Sequence, residues 1–116
     1  MAFASVIIPA RNAGATLGGC LDGLAREGVP GQAAELLVVD DASTDCTRAV
    51  ANRPHIRLLN GGGNGPAAAR NLGARFATGD VLIFLDADTM PCPGWLRAML
   101  EPLNNPRVVS VKGRYY

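Results

Sequence analysis

Residues Val81 to Asp88, VLIFLDAD, constrain this chain more than any other stretch. Five consecutive apolar residues, rich in branched and aromatic side chains and closed by polar ones, are short for a helix and fit a strand buried on both faces. An extended chain alternates its side chains between faces, so Asp86 and Asp88 point the same way, about 6.5–7 Å apart along the chain. Two carboxylates so placed repel each other unless something positive lies between them. A hard cation shared with a ligand's phosphates, Mg²⁺ or Mn²⁺, meets that condition. The competing reading is a solvated turn whose acids cap Thr89 and the residues after it.

The flanking sequence alternates strands and helices. Ala4 to Pro9 reads as a first buried strand, ended by Pro9 because that residue has no N–H for the ladder. Ala13, Leu17, Cys20, Leu21 and Leu24 then fall on one helical face, with Asn12 as a plausible N-cap. Glu35 to Val39 is a second strand, and it runs into Asp40-Asp41-Ala42-Ser43-Thr44-Asp45. Ser43 or Thr44 is placed to cap a short helix reaching about Arg53, with Asp45 in its first turn. Ile56 to Leu59 is a third strand, followed by a glycine-rich loop and a helix from Pro66 to about Ala77 that buries Leu72 and Phe76. Beyond Asp88 a helix opens near Pro93, with Trp95, Leu96, Met99, Leu100 and Leu103 as its apolar positions and Trp95 in the core or on a cleft wall. Arg107 to Val111 reads as one more strand.

This alternation implies an α/β fold with a mostly parallel sheet and flanking helices, binding its ligand beyond the carboxyl ends of the strands. The polar clusters Pro9–Asn12, Asp40–Asp45 and Asp86–Asp88 all fall there. A chain ending on an uncovered strand suggests a truncated domain, and an open edge suggests homo-oligomerisation. Eleven basic against ten acidic residues leave a net charge of +1, which is no nucleic-acid footprint. No apolar run spans a bilayer and no leader precedes the first strand, so a cytoplasmic location is expected, with any membrane association through parts outside this chain. Cys20, Cys46 and Cys92 are widely spaced and suit reduced thiols rather than a disulfide framework or zinc site. His55, alone before a short strand, suits a surface imidazole.

Gly63-Asn64-Gly65-Pro66-Ala67-Ala68 fits the G-x-G-x-x-A pattern of dinucleotide binders, but it follows the third strand rather than the first, and one ribose-binding acid would leave Asp88 without a role. Taken in order, SVIIPARN, ELLVVDDASTD, NGGGNGPAAARNLGARFATGD and VLIFLDADTMPCPGWL closely resemble the amino-terminal half of family 2 glycosyltransferases, enzymes of the GT-A type. The resemblance implies a GT-A-like (Rossmann-like) nucleotide-binding half-domain, truncated on its acceptor side. It further implies a nucleoside diphosphate sugar donor, most often UDP-linked, an acceptor that the sequence leaves unknown, and Mg²⁺ or Mn²⁺ on the diphosphate. By position, Pro9 and Arg11 meet the nucleotide, Asp41 meets the base with Asp40 beside it, Arg70 approaches the nucleotide, and Asp86 and Asp88 form the D-x-D motif, Asp88 being the better metal ligand. Arg11 stands where the family usually has Tyr, so stacking there would use a guanidinium. The resemblance implies single-step transfer with inversion, assisted by an Asp or Glu base expected beyond Tyr116, so that the fragment alone binds donor better than it transfers sugar. Two other classes stay open: a nucleotide-binding module without turnover, and a nucleotidyltransferase, for which PARNAG is a poor loop.

Overall fold

The structure, a computed structural model, describes residues 3–104. Four strands form one parallel sheet in the order β3-β2-β1-β4: β1 Ala4–Ala10, β2 Ala34–Asp40, β3 Ile56–Asn60 and β4 Val81–Phe84. Helices α1 Leu17–Arg26, α2 Thr47–Ala51, α3 Pro66–Phe76 and α4 Trp95–Leu100 connect or follow them, and a short 3₁₀ helix closes at Asn104. No helix among the described residues is long and apolar enough to cross a membrane. The expected strand Arg107–Val111 lies outside the described residues.

Alternation along β1 divides the core. Ala4, Val6, Ile8 and Ala10 pack with Leu17, Cys20, Leu21 and Leu24 of α1 on one side of the sheet. Ile7 joins Leu37, Val39 and Ala69 of α3 on the other. There is no Cβ at Gly73 because a methyl there would drive into Cγ2 of Ile7 and crowd Val39. We expect Gly73→Ala to lower stability by about 1–2 kcal/mol in urea titration: overpacking costs more than the helix propensity that Ala restores. A variant as stable as the parent would show that α3 is free to shift.

Several details differ from the sequence expectation, each for a tertiary reason. Strand β1 continues through Pro9 to Ala10. The carbonyl of Ile7 accepts from the Leu85 N–H, so Pro9, two residues on, turns its missing N–H toward β4, beyond the last β1–β4 pair, and the ladder to β2 loses nothing. The strand expected to be buried on both faces is instead the edge of the described sheet, with Leu82 and Phe84 43% and 45% exposed. In register with Ser5 and Ile7, those two side chains lie on the α3 side, but α3 covers β1 and β2 and leaves them open. Phe76, expected to be buried with Leu72, is exposed at the end of α3.

The helix starts also differ. Asn12 does not cap α1, which begins after Thr16. Helix α2 begins after Cys46 rather than after Ser43 or Thr44. Both shifts have one cause: the residues expected to cap bind the neighbouring loop. Thr44 N–H donates to Asn12 Oδ1 at 2.8 Å, and Asn12 N–H donates to Ser43 Oγ at 2.9 Å.

Candidate functional site

The carboxyl ends of β1, β2 and β4 surround a cavity of about 510 Å³. Pro9, Arg11, Asp41, Arg70, Asp86 and Asp88 all line it. Asp40 does not; it is buried, accepts the Ser43 N–H and faces Arg48 at 3.6 Å. Its place at the strand end therefore stabilises the following turn. Ala10, Asn12, Ala13, Thr16, Pro66, Ala69 and Ala87 complete the wall; the sequence gives none of them a site role, although Asn12 falls in the cluster Pro9–Asn12 expected at this edge. The small residues on both sides of Arg11 and the proline opening α3 are the signals that could have found them.

The first loop is built by stitching. Asp45 accepts the N–H of Thr47 at 2.9 Å, its hydroxyl, and the N–H of Gly14 at 2.9 Å, while the Thr47 hydroxyl accepts from Ala13 N–H. These bonds, led by those from Thr47, hold the Asp45 carboxyl below its ordinary range. Asp45 is thus a structural acid at the start of α2, and the loop it fastens carries Arg11 at the cavity wall. Arg11 is exposed and has no ion-pair partner among the described residues.

The second loop is held by Asp41. Its side chain, 3% exposed, accepts N–H groups from Gly63 at 2.8 Å, Asn64 at 3.1 Å and Gly65 at 3.1 Å. Gly62, Gly63 and Gly65 adopt positive φ, which lets the loop wrap the carboxylate before Pro66 opens α3. A carboxylate offers about four lone-pair sites, and with two N–H groups on Oδ1 and one on Oδ2 about one remains, on Oδ2.

Beyond β4, Asp86 and Asp88 are exposed while Leu85 and Ala87 are buried, but the extended D-x-D expected from the sequence is not found: Ala87 and Asp88 are the central residues of a turn that starts at Asp86. That turn, residues 86–89, is closed by Thr89 N–H to the Asp86 carbonyl and not by either acid's side chain. Gly23 of α1 lets this segment lie close: a Cβ there would meet Pro91 Cδ at 2.9 Å and its carbonyl at 3.2 Å. Arg70 Nη2 stands 3.7 Å from Asp86 Oδ1. Asp88 has no hydrogen-bond or ion-pair partner among the described residues. Burial, then the charge of Asp88, pushes the Cys20 thiol up to about 11, so Cys20 stays protonated and inert.

Two unpaired or loosely paired carboxylates suit a hard divalent cation. Among the described residues no group of three or more His, Cys, Asp or Glu could hold one, so the remaining positions would fall to phosphate oxygens and water.

The glycosyl transferase family 2 model matches residues 5–116. The chain belongs to that family. It is 32% identical to glycosyltransferase AglE of Haloferax volcanii over 96% of this chain and 38% of that protein. Mannosyltransferase PcManGT from Pyrobaculum calidifontis, solved with GDP-Man and Mn²⁺, superposes with a TM-score of 0.83 at 28% identity, over 92% of this chain and 34% of that one. Glucosyl-3-phosphoglycerate synthase from Mycobacterium tuberculosis, solved with Mn²⁺, UDP and phosphoglyceric acid, gives 0.74 at 30% identity, over 90% and 39%. This family 2 chain therefore spans about a third of the length of these proteins. The α/β architecture expected from the sequence, with its GT-A-like parallel sheet, is the one found.

Proposed function

We propose that the cavity binds a nucleoside diphosphate sugar, most simply UDP-linked, as the donor half of a metal-dependent, inverting glycosyltransferase. The observation that carries this reading is the pairing, in one cavity, of an unpartnered Asp88 and a loosely held Asp86 with two arginines, Arg11 and Arg70. Anionic and cationic side chains sharing a cavity suit a ligand that brings both a metal and a diphosphate. GDP-Man with Mn²⁺ in one structural relative and UDP with Mn²⁺ in another support the ligand class.

In this reading each residue has a stated task. Asp88 and Asp86 hold Mg²⁺ or Mn²⁺ by carboxylate oxygens. When bound, such a cation stabilises the negative charge that develops on the departing diphosphate. Arg11 and Arg70 orient the phosphates through their guanidinium forks. Pro9 and Asp41 border the nucleotide, and the remaining lone pair of Asp41 accepts an N–H from the base. The base that takes the acceptor hydroxyl's proton is proposed to lie outside residues 1–116.

Calorimetric titration of UDP and of GDP, each with and without Mn²⁺, tests this on the parent chain and on Asp88→Ala. The expected result is binding that needs Mn²⁺ and loses that dependence in the variant. No binding of either nucleotide to a folded chain would refute the donor site.

A further inference from the structure

Helix α3 fixes the base of the Arg70 side chain: Gly73 seats one end of the helix on β1, and Asp41 holds the loop entering the other. The guanidinium, on its flexible stem, is half-exposed and stands 3.7 Å from Asp86, beyond hydrogen-bond range. Such a pair is Coulombic and easily broken. Among the described residues Arg70 has no other ion-pair partner, and both side chains face the same cavity.

We propose that Arg70 is the internal counter-ion of the cation site, exchanging Asp86 for the donor's diphosphate when a metal is taken up. The inference rests on the donor reading above. A divalent cation held by Asp86 would repel the guanidinium beside it and weaken its hold on that carboxylate. The exchange has Arg70 turn from Asp86 as metal binds, toward a diphosphate, the anion whose geometry its fork matches. Metal and nucleotide then bind with positive coupling, because each removes a cost from the other. A residue that served only the nucleotide would leave metal affinity alone unchanged, and one that served only the fold would weaken both.

The test is Mn²⁺ binding followed by electron paramagnetic resonance at low salt, with and without UDP, on the parent chain, Arg70→Gln and Arg70→Lys. Arg70→Gln should bind Mn²⁺ alone about two- to five-fold more tightly, the effect of removing one half-exposed ionic competitor. It should bind UDP in the presence of Mn²⁺ about tenfold more weakly, for want of a charge-assisted contact. Arg70→Lys should keep the parent's Mn²⁺ affinity and lose part of the UDP affinity, because it preserves the charge but not the fork. Unchanged or weaker binding of Mn²⁺ alone by Arg70→Gln, beside a parent that still needs Mn²⁺ for UDP, overturns the exchange and leaves the donor site standing. A folded parent without Mn²⁺-dependent UDP binding overturns both.

Discussion

Asp41→Ala is expected to destabilise the chain by about 3–5 kcal/mol, more than any other single change at the site. The carboxylate is almost fully buried and is the acceptor for three consecutive backbone N–H groups, at Gly63, Asn64 and Gly65. Hydrogen bonds to a charged group are each worth about 1.5–3 kcal/mol, and a buried donor left without an acceptor loses its desolvation cost in full. The sum is not reached, because a loop released from Asp41 rehydrates part of its backbone. Asp41→Asn separates shape from charge. An amide fits the space but must turn its NH₂ toward one of the N–H donors, so it should recover less than half of the loss. Urea unfolding measures the total, and amide hydrogen exchange at Gly63 to Gly65 locates it. An Asp41→Ala chain within about 1 kcal/mol of the parent would mean that the glycine loop holds its own shape, and the positioning role would be abandoned.

The second large effect lies at the opposite end of the sheet. Glu35 on β2 accepts from the Ser5 hydroxyl at 2.5 Å, the Thr78 N–H at 2.6 Å, the Thr78 hydroxyl at 2.9 Å and Arg57 at 3.2 Å. Ser5 Oγ in turn accepts the Gly79 N–H, so one carboxylate ties β1, β2, β3 and the turn before β4 together. Glu35→Ala should cost about 2–4 kcal/mol, since it removes the acceptor of four hydrogen bonds at once, two of them, from Ser5 and Arg57, part-buried. Burial alone would raise this carboxyl, but the bonds from Ser5, Thr78 and Arg57 outweigh it and hold the group below its ordinary value of 4.5. A folded-state value below the unfolded one means that the contribution is fully present above about pH 4.5 and is lost as pH falls through the folded value. Between pH 7 and pH 3 the parent should therefore lose stability faster than Glu35→Gln. Parallel acid branches in thermal melts of the two proteins would show that Glu35 does not titrate with folding.

These predictions mark where local pattern stops being informative. Pro9, Arg11, Asp41, Asp86 and Asp88 could be placed at the cavity from their positions after strands, because a parallel sheet brings every strand's carboxyl end to one edge; Arg70, inside α3, could be named only through the family resemblance. Their partners could not. Asp40 and Asp41 are adjacent and chemically alike, yet one faces Arg48 and the other holds a loop more than twenty residues away. Asn12 and Thr44 each have the composition of a cap, and each finds its partner in the other's loop, 32 residues distant. Sequence spacing reports which face a side chain takes. It does not report which of several donors at that face will reach it first.

The same division holds for the chain as a whole. Its sequence by itself determined the order of strands and helices, the parallel sheet and the gathering of Arg11, Asp41, Asp86 and Asp88 at one edge, because hydrophobic period is local and βαβ connections leave few arrangements. Only the tertiary structure decided that β4 exposes Leu82 and Phe84, that Asp40 turns away from the cavity, that Asp41 holds a loop and that Arg70 faces Asp86. Each of those depends on packing and Coulombic competition between groups distant in the chain, and it is settled only when the elements meet.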